Sequence, residues 1–128
     1  FGSQAIVVNI EAKRRGASWE AYTENGRQPS GKDAVAWASE AAARGAGEIL
    51  LTSIDREGTK SGFDYDLIRA VKVPLPVIAC GGAGDLSHVL KCAGLGVSGI
   101  ACASIFHYGL VPNLKPRLSE AGFPMRLC

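Results

Sequence analysis

The feature that most constrains the fold is a fourfold alternation of short apolar runs with segments of helical composition. Runs of β-branched and other apolar residues predict strands, and apolar residues at three- and four-residue spacing predict amphipathic helices. The predicted strands cover residues 5–10, 48–54, 76–80 and 98–103, and the predicted helices cover residues 32–43, 64–72, 86–95 and 113–121. Strands and helices that alternate in this way form right-handed βαβ units around a parallel sheet.

Four such units predict an α/β fold that is half of a (β/α)8 TIM barrel, in a single domain over residues 1–128. Each unit takes about 30 residues, and a complete barrel needs about 250. The runs at 48–54 and 76–80 are almost continuously apolar, which is typical of strands covered on both faces. A small flavodoxin-like sheet is the alternative, although that fold usually has about five strands. The half-barrel is favoured because polar residues follow the carboxyl end of every strand, where a barrel has its catalytic face.

The composition excludes several classes of protein. With 47% hydrophobic and 20% charged residues and a net charge of +2, the chain reads as a folded domain without a nucleic-acid-binding stripe. It shows no signal peptide, and no apolar run approaches the ~20 residues that cross a bilayer. The four cysteines and two histidines show no metal-ligand spacing, so we expect reduced thiols, a cytoplasmic location and no metal or other cofactor. Because the sequence starts at Phe1 rather than Met, we expect an excerpt of a longer protein or a chain that has lost an upstream segment.

Two loops predict a phosphate site. CGGAGD, residues 80–85, follows the third predicted strand, and ASIFH, residues 103–107, follows the fourth. Backbone N–H groups in such loops bind phosphate, and a barrel commonly uses the loops after its last two strands for this purpose. CGGAGD on its own is equally consistent with a simple turn, but the two loops together favour phosphate binding.

Two further stretches contain candidate functional residues. TSIDREGTKSG, residues 52–62, predicts a substrate-holding loop because it is long, rich in glycine and supplies carboxylates and hydroxyls. The alternative is a polar loop that only leads into the next helix. Glu11 follows the first predicted strand, and it is either an acid/base group or merely the first polar residue after that strand. Lys13–Arg15 predicts a solvated loop rather than a ligand clamp.

Four segments resemble the C-terminal half of the cyclase subunit of imidazole glycerol phosphate synthase. They are FGSQAIVVNIEAKR, GAGEILLTSIDREGTKSGFD, PVIACGGAG and ACASIFH, and the resemblance extends from Phe1 to the MRLC tail. The second segment is the most specific of the four. The isomerase of the same pathway has a similar fold and phosphate loop but lacks this segment, so it is the weaker alternative.

The resemblance implies a barrel that takes ammonia from a glutaminase partner and converts a phosphoribulosyl formimino-aminoimidazole carboxamide ribotide into imidazole glycerol phosphate, in histidine biosynthesis. It also implies that each half of the barrel binds one of the two substrate phosphates. The residues it implicates are Glu11 as a catalytic acid/base, Thr52, Glu57 and Gly58 at the substrate, Gly81, Gly82, Ala103 and Ser104 at the phosphate, and Glu48 in a charged ring where ammonia enters. Glu11 and Glu57 each occupy a position where the family has aspartate.

The resemblance covers only the second half of the family's barrel, which predicts two open edge strands near residues 5–10 and 98–103. Because unpaired sheet edges tend to associate, we expect two copies to pair as a homodimer, or a separate N-terminal half to complete the sheet. The expected function is the cyclase reaction in such a completed barrel. The alternative is a catalytically inactive half-barrel that binds phosphate and homodimerises.

Overall fold

A computed structural model describes residues 5–102 and 114–122 of the 128-residue chain. The strands are β1 (Val7–Arg15), β2 (Ser18–Thr23), β3 (Gln28–Asp33), β4 (Glu48–Ser53), β5 (Val77–Cys80) and β6 (Gly99–Ala101). The helices are α1 (Ala34–Ala43), α2 (Tyr65–Ala70), α3 (Leu86–Ala93) and α4 (Leu114–Glu120). The strands form one sheet in the order β3-β2-β1-β4-β5-β6.

The four strands predicted from the sequence form the parallel part of this sheet. β1 pairs with β4, β4 with β5, and β5 with β6, all in parallel. This arrangement confirms the α/β architecture and is consistent with half of a TIM barrel. The helices begin where the sequence supplies a cap, because Asp33, Asp64 and Asp85 each accept a hydrogen bond, 2.9 to 3.1 Å long, from the backbone N–H three residues later.

The prediction of a solvated loop at Lys13–Arg15 is wrong, because β1 continues through these residues and pairs antiparallel with β2. Gly16 turns the chain between the two strands at φ +59°, a conformation that glycine adopts without strain. The Arg15 guanidinium pairs with the Glu20 carboxylate across the ribbon, and such oppositely charged pairs stabilise a strand that lacks apolar alternation. Glu11 therefore lies within a strand rather than just after one.

The two faces of the sheet are covered to different extents. The helices pack on one face, whose side chains include the buried Ile10, Ala12, Ile49, Leu51 and Ala79. The register places a second set of side chains on the opposite face, most of them half-buried or exposed. We call this second face the open face, and its residues are Val7, Asn9, Glu11, Glu48, Leu50, Thr52, Ile78 and Cys80. A parallel sheet is normally covered on both sides, so the described part of the chain leaves one side without its usual cover.

The hairpin of β1 and β2 covers only part of the sheet edge that was predicted near residues 5–10. β2 pairs with β1 from Glu11 to Arg15, while residues 7–10 have no strand partner on that side within the described ranges. Val7, at the start of this unpaired stretch, and Ile6, just before it, are 54% and 55% exposed. β6 is the last described strand at the other end of the sheet. Among the described residues, β6 therefore pairs only with β5, and large apolar side chains are exposed where residues 7–10 lack a strand partner. In the described ranges, no helix has the length and apolar character needed to cross a membrane.

Candidate active site

The strand register brings the predicted catalytic residue Glu11 next to Thr52, one of the three predicted substrate residues, in one row across the sheet. Glu11 is the Cα partner of Thr52, Thr52 is the partner of Cys80, and Cys80 is the partner of Ala101. Partners on adjacent strands lie about 4.8 Å apart on the same face. Thr52 is 6% exposed, while Glu11 and Cys80 are half-buried. The Glu11 carboxylate and the Thr52 hydroxyl are thus neighbours near the carboxyl ends of the parallel strands.

Cys80 lines the candidate site, although no individual role was predicted for this last residue of a predicted strand. Burial raises the pKa of its thiol, the hydrogen bond with the Thr52 side chain lowers it, and the nearby Glu57 carboxylate raises it again. The net effect is a pKa above its ordinary value, so the thiol stays protonated at neutral pH. The sequence did not identify Cys80 as a site residue, because it is the last residue of the apolar run PVIAC. Only the strand register shows that it lies next to Thr52.

The loop after β4 is tied to the sheet by its own backbone. The Glu57 N–H donates to the Ser53 carbonyl at 3.0 Å, and the Ile54 N–H donates to the Ala12 carbonyl at 2.9 Å. The loop ends at Asp64, whose side chain caps α2. These contacts hold Glu57 and Gly58 over the end of the sheet.

A cavity of about 160 Å³ lies between this loop and the glycine loop after β5. Four of the predicted site residues line it, namely Glu57 and Gly58 from one loop and Gly81 and Gly82 from the other. The remaining lining residues are Lys60, Cys80, Ala83, Ala101 and Cys102. Lys60 was not predicted as a site residue, although it lies in the predicted substrate-holding loop. Ala103 and Ser104, the other two predicted phosphate residues, lie outside the described residues.

The glycines after β5 are required by the contact between the two loops. Gly82 adopts φ +110°, and a Cβ atom there would lie 2.1 Å from the Gly62 carbonyl oxygen. Gly81 adopts φ +100°, and its Cβ would lie 2.8 Å from the Ser53 carbonyl oxygen. The Gly62 N–H also donates to the Gly82 carbonyl at 2.8 Å. The glycine pattern therefore has a packing cause that needs no ligand, and the cavity is a consequence of how closely the loops approach.

Glu48 lies on the open face at the opposite end of β4 from Thr52. The four residue steps from Glu48 to Thr52 correspond to about 13 Å along a strand. The structure therefore does not bring Glu48 into the cavity with the other predicted residues, and the resemblance does not require it there. No cluster of three or more His, Cys, Asp or Glu side chains in the described ranges could hold a metal ion.

A larger cavity, of about 320 Å³, lies on the helix side of the sheet. Its charged side chains pair with one another, since Asp66 contacts Arg69 at 3.3 Å and Arg14 at 3.7 Å. None of the predicted site residues lines it. We place the candidate active site at the smaller cavity, because that cavity lies where the parallel strands end. The loop after β4 and the glycine loop after β5 meet there.

Comparison with known proteins identifies the family of the chain. A family model described as "Histidine biosynthesis protein" matches residues 1–112. The chain is 48% identical over 131 aligned positions to "Imidazole glycerol phosphate synthase subunit HisF" of Gluconacetobacter diazotrophicus. The alignment covers 98% of this chain and 51% of that relative, so the chain spans about half the length of the curated protein it matches. The chain therefore belongs to the histidine biosynthesis protein family.

Proposed function

We propose that this chain supplies the second half of a cyclase barrel that makes imidazole glycerol phosphate from ammonia and the phosphoribulosyl ribotide. The main support is the cavity at the carboxyl ends of the parallel strands. The loop after β4 and the glycine loop after β5 line this cavity, next to the row of Glu11 and Thr52. The family and the 48% identical synthase subunit support the same reaction.

In this proposal the Gly81 and Gly82 loop holds one phosphate of the substrate, together with Ala103 and Ser104. Backbone amides of this loop would donate the hydrogen bonds that a phosphate requires. In the proposed complex, the body of the substrate would contact Thr52, which lies beside Glu11 on the neighbouring strand. Ser104→Asp should abolish phosphate affinity in a calorimetric titration, because it adds a negative charge to the site. Unchanged affinity would place the phosphate elsewhere.

Glu11 acts as the proton-transfer group of the cyclisation, with Glu57 as the second carboxylate of the site. A general acid or base must lie within about 2.6–3.2 Å of the proton that it moves. Glutamate places its carboxylate roughly 1.5 Å farther from the backbone than aspartate, and a misplacement of ~1 Å can cost about 100-fold in rate. Glu11 therefore depends on its rotamer to reach the reacting atoms.

The turnover assay combines this chain with an N-terminal half-barrel and measures ammonia-dependent formation of imidazole glycerol phosphate. Glu11→Gln should lower the rate by a factor of about 10² to 10⁴, because it removes the ionisable group. Glu11→Asp should keep the rate within about 100-fold of the parent. The matched control is Glu40→Gln, which removes an exposed carboxylate that pairs with Arg44 on α1. If neither the parent nor Glu11→Asp turns over, the catalytic assignment is wrong.

We also propose that a second set of four parallel strands pairs with the open edges and covers the open face. The unpaired stretch of β1 at residues 7–10, with Ile6 and Val7 exposed beside it, supports this pairing. The second set comes from another copy of the chain or from an N-terminal half. Size-exclusion chromatography with light scattering should show a dimer or larger assembly, or a complex with the added half. A stable 13.4 kDa monomer that does not bind the added half would contradict the proposal.

Two further parts of the proposal concern partners and the alternative function. A glutaminase subunit would deliver ammonia at the Glu48 end of the open face, about 13 Å along β4 from Thr52. The alternative function is a homodimeric half-barrel that binds phosphate without turnover, and the replacement of aspartate by Glu11 and Glu57 favours it. Phosphate binding without any turnover in the combined assay would select this alternative.

A further inference from the structure

His88, on α3, makes a direct hydrogen bond to the glycine loop after β5. Its Nδ1 atom accepts from the Gly84 N–H at 3.0 Å, and its side chain is 21% exposed. An Nδ1 atom that accepts a hydrogen bond carries no proton, so the proton of the neutral ring is on Nε2. That nitrogen lies 3.8 Å from an Asp85 carboxylate oxygen. The imidazole is therefore joined through Nδ1 to a backbone amide of the loop.

The position of His88 is determined by three neighbouring parts of the fold. Asp85, which caps α3, accepts from the His88 N–H at 3.1 Å. The Tyr65 hydroxyl of α2 donates to the His88 carbonyl at 3.5 Å. The ring also lies against the loop after β4, since a Cβ atom on Gly62 would be 3.5 Å from His88 Cδ2. The imidazole thus lies where α3 and α2 meet the two loops of the candidate site.

Two successive peptide units of the glycine loop have their orientation set by neighbouring elements. The N–H and C=O groups of one planar trans peptide unit point in opposite directions. The Gly82 carbonyl accepts from the Gly62 N–H at 2.8 Å, so the Ala83 N–H of the same unit points away from Gly62. The Gly84 N–H of the next unit points to His88. One unit therefore takes its orientation from the loop after β4, and the other takes it from His88.

Two other amides of this loop lack a protein partner in the part of the chain that the structure describes. The N–H groups of Gly82 and Ala83 donate to no acceptor there, although both residues are buried. Buried backbone N–H groups in folded proteins nearly always have a partner. Both residues line the candidate cavity. These amides are therefore the donors that an anion in the cavity would use.

We propose that His88 is a positioning residue for anion binding, because its Nδ1 atom holds the Gly84 N–H and so keeps the Gly82 and Ala83 amides directed at a bound phosphate. This inference rests on the proposed function, which places a phosphate at the glycine loop. It adds a residue of α3 that is not among those lining the cavity. Glycine has the greatest backbone freedom of any residue, so the hydrogen bond restricts motion that Gly84 itself would allow.

The test is calorimetric titration of the chain with inorganic phosphate, using three substitutions of His88. His88→Leu removes the acceptor, and His88→Gln carries its amide one bond too far to place an oxygen at the Nδ1 position. Each should weaken phosphate binding by about three- to tenfold, the range that one neutral hydrogen bond contributes. His88→Asn has the shape of leucine but places an amide oxygen at the Nδ1 position, so it should bind within about twofold of the parent.

Urea unfolding of each variant separates a positioning role from a loss of stability. If His88→Leu does not fold, the comparison of His88→Gln with His88→Asn decides, because both keep a polar amide. The control is Ser87→Ala, since the Ser87 hydroxyl donates to the capping Asp85 carboxylate. This change removes a neutral hydrogen bond from the same turn of α3 and leaves His88 intact, so phosphate affinity should be unchanged.

The outcomes separate this inference from the proposed function. If the parent binds phosphate and all three His88 variants bind it equally well, the inference is wrong and the proposed phosphate site stands. Equal weakening by His88→Asn and His88→Leu would also overturn it, because ring volume rather than the acceptor would then matter. Equal weakening by Ser87→Ala would overturn it as a general effect of α3. A parent that does not bind phosphate would contradict the proposed site itself, and the inference with it.

Discussion

The Trp19–Asp64 hydrogen bond joins the hairpin to the helical side of the sheet, and its removal should be costly. The indole N–H of Trp19 donates to Asp64 Oδ2 at 2.8 Å, and Asp64 Oδ1 accepts from the Leu67 N–H at 3.1 Å. Trp19 is 7% exposed and Asp64 is 8% exposed. Trp19→Phe keeps an aromatic ring but leaves one oxygen of a buried carboxylate without its donor.

The expected cost follows from the charge on the acceptor. A hydrogen bond to a charged group contributes about 1.5–3 kcal/mol, and the smaller Phe ring adds a packing loss. We therefore expect Trp19→Phe to lower the free energy of unfolding by about 2–3 kcal/mol. With a urea m-value of about 1–3 kcal/mol per molar, the unfolding midpoint should fall by roughly 1 M.

The assay is equilibrium urea unfolding followed by circular dichroism at one fixed protein concentration, because pairing of chains makes stability depend on concentration. The matched control is Trp37→Phe, the same substitution at a half-buried ring that lies under the Lys32 ammonium at 3.9 Å. This control should cost less than about 1 kcal/mol. Equal midpoints for the two variants would show that the bond to Asp64 does not stabilise the fold.

Three further predictions concern packing, pH and thiol chemistry. Gly82→Ala should prevent the loops after β4 and β5 from packing together, and should lower the free energy of unfolding in urea by more than about 3 kcal/mol. The control is Gly96→Ala, where a Cβ atom meets no atom within 4 Å. It should lower the free energy of unfolding by about 1 kcal/mol, from its positive φ alone. The Ser18 hydroxyl and the first turn of α1 hold the pKa of Asp33 below 3.8, so the stability it contributes is present at neutral pH and is lost as pH falls through that lowered pKa. The stability deficit of Asp33→Asn relative to the parent should therefore be larger at pH 7 than at a pH well below 3.8, and a deficit that does not change with pH would contradict this. Burial raises the pKa of Cys92 to about 12, so iodoacetamide at pH 8 should leave this thiol unlabelled in the folded chain and should label it in urea. Labelling of the folded chain at the rate of free cysteine would contradict the burial of Cys92.

The parallel part of the sheet was predictable because its signals are local. Continuous apolar runs mark β4 and β5, and aspartates mark the starts of the helices that follow β3, β4 and β5. The hairpin was not predictable on the same basis. All six residues of β3, QPSGKD, are exposed and include a proline and a glycine, which disfavour a strand. The hairpin is stabilised by partners on neighbouring strands. β1 and β2 become neighbours only once the chain turns at Gly16, and β3 then pairs with β2.

The candidate site shows the same division. The sequence identified both loops of the cavity, because glycine and polar residues cluster after the apolar strands. It did not identify Cys80 or Lys60, because their membership depends on strand register and on loop packing. The sequence predicted a ligand or a turn as the reason for the glycines, and the structure adds a packing reason, since a Cβ atom on Gly82 would overlap Gly62 of the facing loop.

The most direct test of the account is to observe where the ligand binds, using backbone amide resonances of the ¹⁵N-labelled chain during titration with imidazole glycerol phosphate. The account predicts saturable shifts at Gly58, Gly81 and Gly82, which line the cavity between the two loops. Gly45, whose N–H bonds to the Ala42 carbonyl at the end of α1, is the internal control and should not move. Unchanged resonances at Gly81 and Gly82, or shifts confined to the Arg14 and Arg69 cavity on the helix side, would contradict the assigned site.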